Sequence, residues 1–211
     1  PTRPLPTDRG FDHYYGVPCG GNYFNPQPLV HDGRIIEGAE DFYTTDNYTQ
    51  QGIDFLTRCA REGDPFLLHL CYNAPHWPLH APAENIEPYR GQYAIGWDEL
   101  RGRRHEELMS CGLLDRKWGL SPRDANAPAW EDADHKDWRD AQMAAYAGMI
   151  DRLDWNIGRL LASLDEAGVA DNTLIFFLSD NGGCAEFLKE NGRAEAELTR
   201  TFSGKEVRVG N

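Results

Sequence analysis

Apolar residues recur at helical spacing in two parts of the chain. Ile53, Phe55, Leu56 and Ala60 mark one face of a predicted helix, with Thr44 or Thr45 as its N-cap and Gly63 and Pro65 as its stop. Met143, Ala147, Ile150, Leu153, Ile157, Leu160, Leu161 and Leu164 recur at three- and four-residue intervals and predict the best-defined helix, ending at Gly168. Two further segments, Phe66–Tyr72 and Thr173–Leu178, are short and almost entirely apolar. Such runs predict strands buried on both faces of a parallel sheet. Leu29–Ile36 reads as two short strands around an Asp32-Gly33 turn.

The remaining sequence is polar or heavily punctuated. From Pro1 to Gly38, proline, glycine, asparagine and aromatics come too often for regular helix. Pro75, Pro78 and Pro82 exclude helix from Asn73 to Pro82. Residues 83–137 are polar, weakly periodic and rich in Trp, Arg and Glu, which predicts an irregular insertion with short helices. Helix, buried strand and loop, twice over, is the grammar of an α/β fold with a largely parallel sheet flanked by helices. His76 then follows one core strand and Asp180-Asn181 the other. Both fall at carboxyl ends of strands, the edge at which open α/β sheets bind ligands.

Charge and cysteine content narrow the range of partners. The 211-residue chain carries a formal charge of −13 and is 26% charged. An acidic excess of this size argues against nucleic acid or an anionic membrane, both of which need clustered Lys and Arg. No apolar run approaches the ~20 residues that span a bilayer. Cys19, Cys59, Cys71, Cys111 and Cys184 include no Cys-x-x-Cys pair, so zinc is not expected. Scattered thiols fit small buried hydrophobes or a reducing compartment. The chain opens without Met or a signal peptide, and a processed protein or a piece of a longer one is expected.

Two positions carry candidate chemistry. Asp180 and Asn181 offer adjacent hard oxygen donors suited to calcium or magnesium, followed by Gly182-Gly183, but the same four residues would also make an Asx turn. His76, between prolines, could donate to an anion or act as a general acid, or could hold loop carbonyls. For His80 the structural role is the stronger expectation. His13, His69 and His135 show no partner pattern, and the turn accounts for His31 beside Asp32. Trp77, Trp97, Trp130 and Trp138 could line a sugar or aryl site, though core filling is expected of each. There is no Gly-x-Ser-x-Gly, His-Glu-x-x-His, Gly-x-x-x-x-Gly-Lys-Ser/Thr or Gly-x-Gly-x-x-Gly motif.

Arg9-Gly10-Phe11-Asp12 with Tyr14-Tyr15-Gly16, Ala74-Pro75-His76-Trp77-Pro78-Leu79-His80-Ala81-Pro82, and Leu178-Ser179-Asp180-Asn181-Gly182-Gly183 together resemble the sulfatase family. Asp171-Asn172-Thr173-Leu174-Ile175 is similar to that family's approach to its second metal-binding strand. The resemblance runs from about Thr7 to Gly183. It implies an alkaline-phosphatase-like α/β fold, incomplete in this chain, and hydrolysis of aryl or carbohydrate sulfate esters. It also implies Asp180 and Asn181 as calcium ligands, and His76 as the residue that contacts the ester and assists the leaving group. A formylglycine, made in the family from a Cys-x-Pro-x-Arg motif, would be the nucleophile.

None of the five cysteines is followed by x-Pro-x-Arg, and no Asp-Asp pair is present to complete a calcium site. The family's Lys-x-His element is missing, and Lys205 does not match its later lysine. A middle fragment of a longer sulfatase, inactive alone, is therefore expected. The alternatives are a phosphatase or phosphonate-ester hydrolase of the same superfamily, or a non-catalytic relative. The Trp-Pro-Leu-His-Ala-Pro context leans to sulfatase. Family habit implies a periplasmic or secreted enzyme.

Overall fold

The structure, a computed structural model, describes residues 4–18, 22–182, 199–204 and 206–207. Gly183, Cys19, Cys184 and Lys205 lie outside the described residues. The chain divides into two compact units, Pro1–His80 with Ile150–Asn211, and Ala81–Met149.

The first unit opens on a 3-10 turn, Pro6–Arg9. Strands β1 (Tyr15–Gly16), β2 (Leu29–His31) and β3 (Arg34–Ile36) then form an antiparallel sheet in that order, with Tyr15 opposite His31 and Val30 opposite Ile35. The Asp32-Gly33 turn has φ of 45° and 79°. Two consecutive left-handed residues match the twist of a tight hairpin, as the sequence predicts. The Asp32 carboxylate accepts the Tyr14 N–H at 2.8 Å and lies 3.1 Å from His13 Nδ1. Partial burial would raise its pKa, but the Tyr14 hydrogen bond, His13 and His31 together hold it below the usual value.

Helix α1 (Thr44–Glu62) ends where Gly63 takes a left-handed φ of 78° and its N–H reaches back to Ala60 and Cys59 carbonyls. Its N-cap is Tyr43, not a threonine. Thr44 is drawn elsewhere, because both its N–H and its hydroxyl donate to the Tyr23 carbonyl, at 2.8 and 2.9 Å. Tyr48, Gly52 and Leu56 form the buried stripe. Phe66–Tyr72 packs against this stripe: a methyl group at Gly52 would meet Leu68, Leu70 and Leu160 at 3.4, 3.6 and 3.7 Å, ordinary contact distances.

The two apolar runs depart from expectation. Neither Phe66–Tyr72 nor Thr173–Leu178 is hydrogen-bonded as a strand, and no parallel pairing occurs among the described residues. Along Phe66–Tyr72 exposure alternates, with Phe66, Leu68, Leu70 and Tyr72 half-buried and Leu67, His69 and Cys71 exposed. Helix α1 covers one face only. Leu174, Phe176, Phe177 and Leu178 are all more than 70% exposed. Their apolar character suits the middle of a sheet, but no neighbouring strand is present among the described residues to bury them. Near the far end, β4 (Thr199–Arg200) and β5 (Glu206–Val207) pair antiparallel.

The second unit contains α2 (Ala83–Ile86), a 3-10 turn at Glu87–Tyr89, α3 (Trp97–Ser110) and a 3-10 turn at Trp130–Asp132. Trp97 and Trp130, both half-buried, meet edge-to-face with ring centroids 4.7 Å apart. Asp140 accepts the N–H groups of Gly91 and Tyr93, at 2.7 and 2.8 Å.

Helix α4 (Lys136–Glu166) is the long helix the periodicity predicts, and the division between units falls within it. Ala144, Ala145, Met149 and Leu164 are buried, while Met143, Ile150 and Leu161 of the predicted apolar face are exposed. Its most deeply buried polar side chain, Asn156, is one the apolar pattern passes over.

Candidate functional site

His76 lies in the proline-rich segment that follows Phe66–Tyr72. The Ala74–Pro75 and Trp77–Pro78 peptide bonds are both cis. Ala74, Leu79 and His80 are buried, and His76 is exposed between them. Its Nδ1 lies 2.7 Å from the Trp77 carbonyl. A carbonyl only accepts, so Nδ1 carries the hydrogen and Nε2 is left as the atom for a ligand. The His76 N–H donates to Asn73 O at 2.8 Å, closing the turn that presents the ring.

Beneath this turn lies an aromatic floor. Tyr23 is 1% exposed, and its hydroxyl donates to the His76 carbonyl at 2.9 Å. The Tyr43 hydroxyl donates to the His80 carbonyl at 2.9 Å. The rings of Tyr23 and Tyr43 stack with centroids 5.9 Å apart, and Phe24 tilts against both Tyr43 and His80. Burial pushes both phenols well above the ordinary tyrosine pKa, so they stay protonated donors. His80 has the structural role expected of it: it is buried, and burial lowers its pKa to about 4. Its Nδ1 accepts the Tyr23 N–H at 3.3 Å, which requires the neutral ring with its hydrogen on Nε2. The sequence offered no signal for Tyr23 or Tyr43, because contacts 53 and 37 residues apart leave no periodic trace.

Asp180 and Asn181 follow Thr173–Leu178 and are exposed. The Ser179 hydroxyl donates to the Asn181 carbonyl at 2.6 Å, and the backbone bends at Asp180 and Asn181. Burial and the charge of Asp180 together raise the Cys71 thiol pKa. The carboxyl ends of the two apolar runs therefore lie within electrostatic reach of each other. No hydrogen bond joins His76 to Asp180 or Asn181 among the described residues. The donors are of the type calcium prefers, but a full shell takes roughly six to eight oxygens. Among the described residues no group of three or more His, Cys, Asp or Glu is gathered to hold a metal.

Other histidines have partners that the sequence did not reveal. His13 pairs with Asp32, and His69 Nε2 lies 3.2 Å from Cys71 Sγ. Cys59, Cys71 and Cys111 are free thiols. No helix among the described residues is long and apolar enough to cross a membrane.

Comparisons with known proteins bear on this arrangement. The sulfatase family model matches residues 3–201. An uncharacterized sulfatase of Schizosaccharomyces pombe is 34% identical over 197 residues, an alignment covering 84% of this chain and 35% of that protein. An arylsulfatase of Klebsiella aerogenes is 32% identical over 201 residues, covering 84% of this chain and 41% of that protein. The chain thus spans 35% and 41% of the length of these two relatives. The crystal structure of Ps i-CgsB in complex with k-i-k-neocarrahexaose superposes with a TM-score of 0.51 at 23% identity, covering 80% of this chain and 32% of that one. That likeness is one of fold, and it supports an alkaline-phosphatase-like α/β architecture. With a family match over nearly its whole length and relatives above 30% identity, this chain belongs to the sulfatase family.

Proposed function

We propose that the chain forms part of a hydrolase for sulfate esters, with His76 contacting the ester and Asp180 and Asn181 supplying two oxygen ligands to a calcium ion. The observation that carries this reading is the state of His76: an exposed imidazole whose Nδ1–H is fixed on the Trp77 carbonyl, leaving Nε2 for the substrate. When bound, calcium would polarise the sulfate oxygens.

The chemistry assigned to this chain's own residues is proton transfer. Attack at sulfur breaks the bond from sulfur to the ester oxygen, and the departing alcohol or phenol oxygen needs a proton. A protonated His76 gives up its Nε2 hydrogen to that oxygen, and its Nδ1–H stays on Trp77 O throughout. The nucleophile we assign is a hydrated formylglycine supplied by sequence outside these 211 residues, since none of the five cysteines precedes x-Pro-x-Arg. This makes the chain a fragment, inactive by itself. The same reading carries a periplasmic or secreted location.

The test is to read the coding DNA on both sides, express the longer product and assay p-nitrophenyl sulfate. The arylsulfatase of Klebsiella aerogenes makes an aryl sulfate the natural first substrate. A Cys-x-Pro-x-Arg or Ser-x-Pro-x-Arg motif with an Asp-Asp pair upstream is expected. His76→Ala should then lower turnover by about 10²- to 10⁴-fold, the usual worth of a positioned acid. Preference for p-nitrophenyl phosphate or a phosphonate ester would move the assignment to the phosphatase branch. Absence of turnover with the motif intact would favour a non-catalytic relative.

A further inference from the structure

We infer that Tyr23 and His80 are positioning residues for His76, together clamping the His76–His80 segment so that the His76 imidazole is presented in one orientation. The inference rests on the proposed role of His76. It adds a supporting layer drawn from residues outside that role.

Tyr23 holds both ends of the segment at once. Its hydroxyl donates to the carbonyl of His76, and its backbone N–H donates to Nδ1 of His80. Tyr23 is itself anchored, because its carbonyl accepts both the N–H and the hydroxyl of Thr44 at the start of α1. The Tyr43 hydroxyl closes the far end on the His80 carbonyl. Helix α1 is thus tied to the His76 turn through a relay of buried and part-buried hydrogen bonds of 2.8–3.3 Å.

The relay acts on His76 specifically. The His76 carbonyl held by Tyr23 and the His76 N–H held by Asn73 fix the residue's own backbone on both sides. The imidazole direction follows from that backbone and from the Nδ1 bond to the next carbonyl, at Trp77. His80 contributes as an acceptor, so what matters at position 80 is a lone pair facing the Tyr23 N–H. Any side chain that supplies one at the right reach should serve, and an apolar one should not.

The experiment is NMR on the longer expressed product with isotope-labelled histidine rings, reading the His76 ring carbon–hydrogen signal and the exchange of the His76 amide. Tyr23→Phe deletes one hydroxyl and keeps the ring that stacks on Tyr43. Tyr23→Phe and His80→Leu should broaden or double the His76 signal and speed exchange of its amide about tenfold, the worth of one hydrogen bond. His80→Gln, which restores an acceptor, should keep the single wild-type signal. A narrow, unshifted His76 signal in Tyr23→Phe and His80→Leu would overturn the clamp, as would His80→Gln behaving like His80→Leu. Titration with inorganic sulfate separates this from the functional reading. A wild-type His76 signal that moves with sulfate, about tenfold less tightly in Tyr23→Phe, supports both. A signal blind to sulfate that still broadens in the two variants counts against the sulfate contact and supports the clamp.

Discussion

Arg152 and Asp46 form a two-pronged ion pair across 106 residues of sequence, with Nε to Oδ1 at 2.8 Å and Nη2 to Oδ2 at 2.5 Å. Asn156, fully buried, adds an amide donor to the same carboxylate at 2.7 Å. The Arg152 guanidinium also lies 4.3 Å from the centre of the Trp155 ring. This carboxylate joins the first turn of α1 to the middle of α4. Removing it takes the two-pronged partner from the guanidinium and one of two acceptors from the buried Asn156 amide. Asp46→Ala should therefore cost about 2–4 kcal/mol, somewhat below the figure for a wholly buried pair because both side chains retain partial exposure. Urea denaturation of the chain checks this, and an unchanged midpoint would show the pair to be ornamental.

His80 gives stability a pH dependence whose sign is fixed by burial. Its folded pKa, about 4, lies below the ordinary value near 6.5. As pH falls, the unfolded chain takes up this proton first. The contribution is complete above about 6.5 and is lost progressively as pH drops through 4. Between pH 7 and pH 4.5 the loss from this one group is about 2–3 kcal/mol. Carboxylates also titrate in this window, so the measurement is a difference: the slope of unfolding free energy against pH in wild type, minus that in His80→Gln. Parallel slopes would contradict the assignment.

Local chemistry was readable from the sequence wherever it depended on near neighbours. The Asp32-Gly33 hairpin, the stop of α1 at Gly63 and the extent of α4 toward Gly168 all follow from spacing and from residues that tolerate left-handed backbone. Distance defeated the rest. Thr44 looked like a cap until the Tyr23 carbonyl, 21 residues away, took its hydroxyl. Phe66–Tyr72 and Thr173–Leu178 have the composition of central strands, but composition cannot say whether neighbouring strands are present. At the site, His76, Asp180 and Asn181 stood out by residue type and by resemblance. Tyr23 and Tyr43, which hold the His76 turn, are simply aromatics in a loop-rich region when seen without coordinates.

Two glycines of α4 should respond oppositely to the same substitution. At Gly148 a methyl group would lie 2.9 Å from the backbone oxygen of Asn85, and that backbone cannot step aside as a side chain would. At Gly158 it would meet nothing within 4 Å. Alanine gains about 1 kcal/mol over glycine in a helix interior. Gly158→Ala should show that gain. Gly148→Ala should lose about 1–2 kcal/mol net, since overpacking against backbone typically costs more than the propensity returns. Thermal melts of the two variants, run side by side, decide it, and a stabilised Gly148→Ala would mean that α2 shifts freely.

The exposed run Leu174–Leu178 sets the solution behaviour of the chain. Its five residues carry no charge and no proline, favour extended backbone, and make no backbone hydrogen bond among the described residues, with Phe176 and Phe177 each 79% exposed. Burying one such side chain is worth about 1.5–3 kcal/mol, so several together outweigh the loss of freedom on association. An uncharged edge of this kind pairs with another like it unless a charge interrupts it. Sedimentation velocity on the 211-residue chain should show larger species growing with concentration, and Phe177→Lys should return the population toward monomer. Leu67→Lys should do less, because Phe66–Tyr72 already rests one face on α1 and has less apolar surface to offer. A wild-type chain that stays monomeric across the concentration range would mean that this run is covered in solution. Phe177→Lys would then destabilise the fold instead of relieving association, and a urea midpoint on the same sample separates the two cases.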